Sequence, residues 1–246
     1  MDATPPRHLS PRKKPRQTRS TTTVEAIFEA TIQVLLREGI HRLTTTRVAE
    51  RAGVSVGTMY RYFPHKQALL YALNERYLDL LAQRVEQACE AQHGATTRAM
   101  VEALVTAYWE AKTERSDVTR ALYNSAVELD NEALIEAFAK RMDAATAEML
   151  ASAPEARYAD VALVNVTLLS VIFGTVRNVF ERNLPLAVQA DIRRQLITMC
   201  LSYLENLPRP IGDGGAAGSR FPQLGHKAGS SRSVRRGVPA AASDER

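Results

Sequence analysis

Cysteine is scarce in this chain. Its 246 residues hold only Cys89 and Cys200, far apart and in helical-looking segments. With no CxxC pair and no Cys/His cluster, the sequence gives little support to a disulfide framework or a zinc site. Two buried structural thiols in a reducing cytoplasm are expected instead. Histidine is nearly as thin: His8, His41, His65, His93 and His226 are scattered, three of them in loops or tails. No Ser/His/Asp grouping, metal-ligand spacing or phosphate loop appears, so neither an enzyme nor a cofactor is expected. Strand-like alternation is rare, which points to an all-α chain. The most apolar run, VALVNVTLLSVIFGTVRNVF at 161–180, is broken by Asn165, Thr167, Ser170 and Thr175, with Arg177 near its end. A membrane span needs about 20 mostly apolar residues. This run instead predicts a helix buried inside a protein or between two copies of it, and no membrane partner. The first residues lack the apolar core of a secretory signal.

What is present is unevenly placed charge. Residues 1–20 carry six Lys/Arg against one Asp, and residues 21–66 six against four acids. Residues 67–207 reverse the sign, with thirteen against nineteen, and residues 208–246 return to seven against three. A basic front end on an acidic body implies a polyanion partner at the N-terminus. Prolines at 5, 6, 11 and 15 mark residues 1–20 as a disordered basic arm, and residues 208–246, rich in Gly, Ser, Ala and Arg, read as a disordered tail. Between them the expected domains are a unit of short helices at 21–66 and a body of longer helices at 67–207. Helicity is expected from Thr21, with Val24, Ile27, Phe28, Thr31 and Leu35 on one face and Gly39 as C-cap. Three short segments follow up to Lys66. Longer helices are expected at about 66–91, 96–114, 117–128, 130–151, 158–182 and 187–206, with breaks at His93-Gly94, Ser116-Asp117, Pro154 and Pro185.

The stretch LTTTRVAERAGVSVGTMYRYF contains two helix starts of one design. Thr44 is placed to cap the first and Ser55 the second, with Leu43/Val48 and Val54/Met59 as hydrophobic staples. Gly53 between them tolerates positive φ, and Ala49 is small enough for a close helix crossing. Two short helices joined by a tight Gly-containing turn make a helix-turn-helix. In the second helix, 56–62, Met59 and Phe63 are expected to point inward. Val56, Gly57, Thr58, Arg61 and Tyr62 are expected to point outward, with Tyr60 flanking the inner face. That inventory suits a major groove. Arg61 is able to donate to guanine or phosphate, and Thr58 to phosphate or against a thymine methyl. Tyr60 and Tyr62 reach phosphates, and Gly57 permits close backbone approach. The helix N-terminus at 44–47 offers amides to a phosphate, reinforced by Thr45 and Thr46, and Lys66 suits a phosphate on the other side.

These residues resemble the DNA-binding domain of TetR-type (tetracycline-repressor-like) regulators. The resemblance runs from about Thr21 to Leu70, through Phe28, Ala30, Gly39, LTTTRVAERAGVSVGTMYRYF, Lys66 and Leu69-Leu70. The family's usual run is close to T-x-x-x-I-A-x-x-A-G-V-S-x-G-T-L-Y-x-Y-F-x-x-K, and this chain departs from it with Val48 for Ile and Met59 for Leu. His65 stands where the family often has a Ser cap. The resemblance implies a three-helix head followed by a six-helix ligand-binding and dimerisation domain. It also implies a homodimer joined through helices 158–182 and 187–206, a palindromic double-stranded operator, and a small-molecule effector that shifts the two recognition helices. It places DNA contacts at Thr45, Thr46, Arg47, Ser55, Val56, Thr58, Tyr60, Tyr62 and Lys66. Arg12, Lys13, Lys14, Arg16 and Arg19 of the arm would add non-specific affinity through counterion release or reach a minor groove.

For the body, Trp109, Tyr123, Met142, Asn165, Phe173 and Arg177 are the candidate effector contacts, and their mostly apolar character implies an apolar or aromatic ligand. The function expected is a cytoplasmic, nucleoid-associated repressor released by that ligand. The alternative is a DNA-binding architectural or cell-division factor on the same scaffold, whose body binds a protein.

Overall fold

The computed structural model describes residues 18–126, 129–154, 158–182 and 184–207. Among the described residues there are nine α-helices, one 3-10 turn and no strand. The expected arm and tail lie outside them, apart from the first helical turn.

Helix α1, Thr18–Glu38, begins three residues after Pro15, earlier than the expected Thr21. Its inward face, Val24, Ile27, Phe28, Thr31 and Leu35, is buried as its spacing requires. The Thr31 hydroxyl, which needs a partner in that core, donates to the Ile27 carbonyl at 2.7 Å. Gly39 ends the helix at φ 78°. A 3-10 turn, Ile40–Arg42, leads to α2 (Thr45–Arg51), α3 (Val56–Tyr62) and α4 (Lys66–Ala91). The body continues with α5 (Thr97–Thr113), α6 (Ser116–Ala126), α7 (Glu132–Ala151), α8 (Val161–Glu181) and α9 (Leu186–Glu205). Three of the four expected breaks fall where the sequence put them; the fourth lies at Glu114-Arg115, because Ser116 and Asp117 already form the first turn of α6. Gly94 takes φ 74° between α4 and α5, and its amide donates to Ser152 Oγ at 2.8 Å. Pro185 precedes α9, and Asp160 caps α8 by accepting from the Leu163 amide.

Two cores result. The head core joins α1, α2 and α3 to the first turns of α4 through Leu69, Leu70 and Leu73, and it takes in Val118 and Leu122 of α6. The body core is built from α4, α5, α7, α8 and α9. α6 therefore belongs to the body by sequence and to the head by packing. Two polar links fasten it to α4: Asn74 Nδ2 donates to Ser125 Oγ at 3.3 Å, and Tyr77 and Thr119 share a hydrogen bond of 2.8 Å. On the other side of α4, Arg141 of α7 grips both oxygens of Glu86 and also Asp79, each at 2.7 Å.

By length and composition α8 is apolar enough to cross a membrane, but it is packed into the bundle by Val164, Leu168, Leu169, Ile172, Val176, Val179 and Phe180. Cys89 and Cys200 are free and buried, as expected; burial pushes their thiols up to about 12 and about 11.

Candidate nucleic-acid interface

The turn between α2 and α3 is a Schellman motif. Gly53, at φ 67°, donates to the Glu50 carbonyl at 3.2 Å, and Val54 reaches back to the Ala49 carbonyl at 3.0 Å. The two bonds satisfy carbonyls that the end of α2 would leave bare. Ala49 is fully buried, so nothing larger fits under the crossing. Both caps form: Thr44 Oγ1 accepts from the Arg47 amide at 3.2 Å, and Ser55 Oγ accepts from the Thr58 amide at 3.0 Å. The staple residues Leu43, Val48 and Met59 are buried and Val54 packs against the same core. His65, the departure from the family pattern, also caps: its Nδ1 accepts from the Ala68 amide at 3.1 Å. The α4 start thus keeps a working acceptor without serine.

α3 is anchored by Met59, Tyr62 and Phe63, one i, i+3, i+4 stripe. Two orientations expected from the sequence are corrected here. Tyr62, expected outward, is only 4% exposed, with its ring tilted against Phe63 and the Arg61 guanidinium 5.7 Å from its centre. Tyr60, expected beside the inner face, is 42% exposed. At 100° per residue the two phenols lie about equally far, roughly 80°, from the axis bisecting Met59 and Phe63. The periodicity of α3 alone does not choose between them; packing against the rest of the head core does. The outward face that remains is Val56, Gly57, Tyr60 and Arg61, with Ser55 and half-buried Thr58 at its start.

The residues at the N-terminus of α2 divide. Thr46 and Arg47 are exposed, whereas Thr45 is 8% exposed and its hydroxyl donates to Tyr60 Oη at 3.4 Å. That bond ties α2 to α3 and leaves the Tyr60 O–H proton for another acceptor. Arg47 turns back toward α1, paired with Glu38 and donating to the Arg42 carbonyl at 3.4 Å. Lys66 opens α4 and is half-buried. No acidic side chain lies on α3.

A methyl group added at Gly57 would meet only Ser55 Oγ, at 3.9 Å. Folding therefore does not demand glycine there. Gly57→Ala is expected to raise stability by about 0.5 kcal/mol through helix propensity and to lower DNA affinity about tenfold by holding the backbone off the groove. A melting curve and a titration with one duplex read both. Unchanged affinity would show that α3 does not approach DNA by this edge.

The six body candidates do not converge. Met142 and Asn165 are buried, and Asn165 is occupied in joining α8 to α7, through Thr146 and the Asp143 carbonyl. Trp109 is core, only 6% exposed, while Arg177 lies on the surface, paired with Glu181. Phe173 belongs to an aromatic cluster: it stacks on Tyr108 with centroids 4.3 Å apart and tilts against Phe138 at 5.9 Å. Tyr123 joins this region through Lys112, which sequence reasoning missed. Lys112 is 2% exposed, and its Nζ sits 4.8 Å from the ring centres of Tyr77 and Tyr123 and 5.7 Å from that of Tyr108. Burial lowers its amine from its ordinary value to about 7. The apolar spacing of α5 carried a signal, since Lys112 lies four residues after Tyr108 and shares its face.

Residues 27–73 match the family described as "Bacterial regulatory proteins, tetR family", and residues 96–204 match "Tetracyclin repressor-like, C-terminal domain". Together the two spans cover more than half of the chain. The nucleoid occlusion factor SlmA of Actinobacillus pleuropneumoniae is 32% identical over 120 residues, 48% of this chain and 58% of that protein. The chain thus spans little more than half the length of that curated relative. A putative TetR-family transcriptional regulator from Mesorhizobium loti superposes with TM-score 0.65 at 17% identity, over 77% of this chain and 98% of the other. The SmeT–triclosan complex superposes with TM-score 0.56 at 18% identity, over 78% of this chain and 100% of the other. With a capped helix-turn-helix at one end, an all-helical body at the other and both family regions matched, this chain belongs to the TetR family of DNA-binding transcriptional regulators.

Proposed function

We propose that the protein is a dimeric repressor that grips a palindromic operator through α3 of each protomer and is released when a small molecule binds the body. The observation that carries this is the division of α3: three side chains lock it to the core, while an acid-free face of Val56, Gly57, Thr58, Tyr60 and Arg61 stands outside. Thr46 and the α2 N-terminus, Ser55 and Lys66 flank that face and suit phosphates. Arg47 would have to leave Glu38 to join them, and Thr45 acts by orienting Tyr60.

The dimer is assigned to α8 and α9. Leu163 and Val166 on α8 and Met199 on α9 are apolar and exposed in the single chain. Gly174, with open space around its Cα, lets a partner helix approach. An apolar or aromatic effector fits the cluster of Tyr108, Phe138, Phe173 and Tyr123. The protein acts in the cytoplasm, at the nucleoid.

Selection of bound sites from random duplexes by the purified protein, at fixed salt, tests the proposal. A short palindrome with half-sites about 34 Å apart is expected. Enrichment without sequence preference would overturn it. The likeness to SlmA favours a second reading, a nucleoid occlusion role. In that case the body would take a protein partner, and no small molecule would alter DNA affinity.

A further inference from the structure

Between the head and the body lies a cleft of about 460 Å³, within the size range of small-molecule sites. α1 forms one wall with Phe28 and Ile32, α4 another with Leu73 and Leu80, and α6 a third with Val118 and Leu122. None of the six body residues considered above lines it. We infer that this cleft is a second, regulatory ligand site, for an uncharged and mostly apolar molecule.

The chemistry of the lining selects that class. The charged residues around the cleft are three arginines and three glutamates, already matched: Arg76 with Glu25 at 3.3 Å, Arg115 with Glu29 at 3.3 Å, and Arg84 with Glu114. A charged ligand would have to break one of these pairs, whereas a neutral one leaves them intact. The polar groups within are few. Tyr77 donates to Thr119 Oγ1, which donates on to the Lys112 carbonyl at 3.0 Å. Arg76 Nε is different: it lies 3.3 Å from Glu25 Oε1 but off the hydrogen-bonding direction, so this buried donor has charge compensation and no hydrogen bond. Nε is shut off from solvent, so a molecule in the cleft meets the aliphatic stem of Arg76 rather than this donor.

Position gives the site its consequence. Two of the three ion pairs cross from α1 to the body, Glu25 to α4 and Glu29 to Arg115 at the start of α6. A molecule seated beneath them touches the first helix of the head and three helices of the body at once. It favours one docking angle of the head, so its affinity and that for DNA are coupled reciprocally.

The probe is Nile red, an uncharged aromatic dye with a carbonyl oxygen, titrated into the full chain. Saturable fluorescence enhancement is expected. Ala111→Phe, which fills the cleft from α5, and Leu80→Glu, at a wall position already 44% exposed, are each expected to weaken the dye at least tenfold. Leu80→Glu keeps the test alive should Ala111→Phe misfold, and circular dichroism checks both. Dye affinity unchanged in a folded variant would overturn the site, placing the dye in the body interior or on the apolar face of α8 and α9. A duplex carrying the selected operator is expected to shift dye affinity at least threefold. Cleft-dependent binding with no such shift would overturn the regulatory role while leaving the DNA-binding assignment to its own test.

Discussion

Lys112→Met is expected to stabilise the protein at neutral pH and to flatten its pH dependence. Lys112 is the one charged residue among the buried side chains described, and desolvation alone accounts for the lowering of its amine to about 7. In the unfolded chain the same amine titrates near ~10.4. Between those values the unfolded state holds a proton that the native state lacks, so stability rises with pH across this window. Below about 7 both states are protonated and the full cost of the buried charge is present. The wild-type chain should therefore gain on the order of 3 kcal/mol between pH 7 and pH 9.5 from this residue. The faces of Tyr77, Tyr108 and Tyr123 return part of the cost to the cation. Burial raises the phenols of the same three tyrosines, so a native state that resists their ionisation loses stability above ~10, which closes the window. Methionine keeps the length and the ring contacts without the charge. Urea midpoints at pH 7 and pH 9.5 measure the effect. An equal midpoint shift at both pH values would mean that Lys112 is not neutralised in the fold.

The second large effect is on DNA. Tyr60→Ala combined with Lys66→Ala is expected to reduce operator affinity by about 100-fold or more, since each contact contributes roughly 1 kcal/mol or more and is lost in both protomers. The slope of affinity against salt should also fall, because Lys66 no longer releases counterions. The fold and the dimer are expected to survive: Tyr60 is exposed and among the described residues its phenol is bonded only by Thr45, at 3.4 Å, and neither residue lies on α8 or α9. Light scattering and circular dichroism establish that control. Operator affinity within threefold of wild type would show that α3 and the α4 start do not face DNA as proposed.

Local chemistry was legible in the sequence wherever it was decided locally. Thr44 and Ser55 cap because a hydroxyl beside a free first-turn amide has one good geometry, and Gly53 turns because only glycine takes its φ cheaply. The helix limits of the body followed from Pro154, Pro185 and His93-Gly94 for the same reason. What escaped was decided between elements. The exchange of Tyr60 and Tyr62 turned on which flank of α3 meets the rest of the head, a fact absent from seven residues of periodicity. Lys112 reads as a solvated charge until Tyr77 of α4 and Tyr123 of α6 close over it. The cleft is a gap between four helices, and no single segment encodes a gap. Asn165, Met142 and Trp109 stand out in the sequence because their types suit pockets; in the fold all three are buried between helices, with Asn165 bonded across to α7.

α4 runs unbroken for 26 residues, rooted in the head core at Leu69–Leu73 and in the body core at Leu81–Cys89. At 1.5 Å per residue it is a rod of about 39 Å. Pivoted at its body end, such a rod moves its head end by roughly 0.7 Å for each degree of tilt. Five degrees therefore carries the head about 3.4 Å, the height of one base-pair step. In the proposed dimer two such rods would tilt in opposite senses, and a repacking of one side chain's width deep in the body would then put the two reading heads out of step with the duplex.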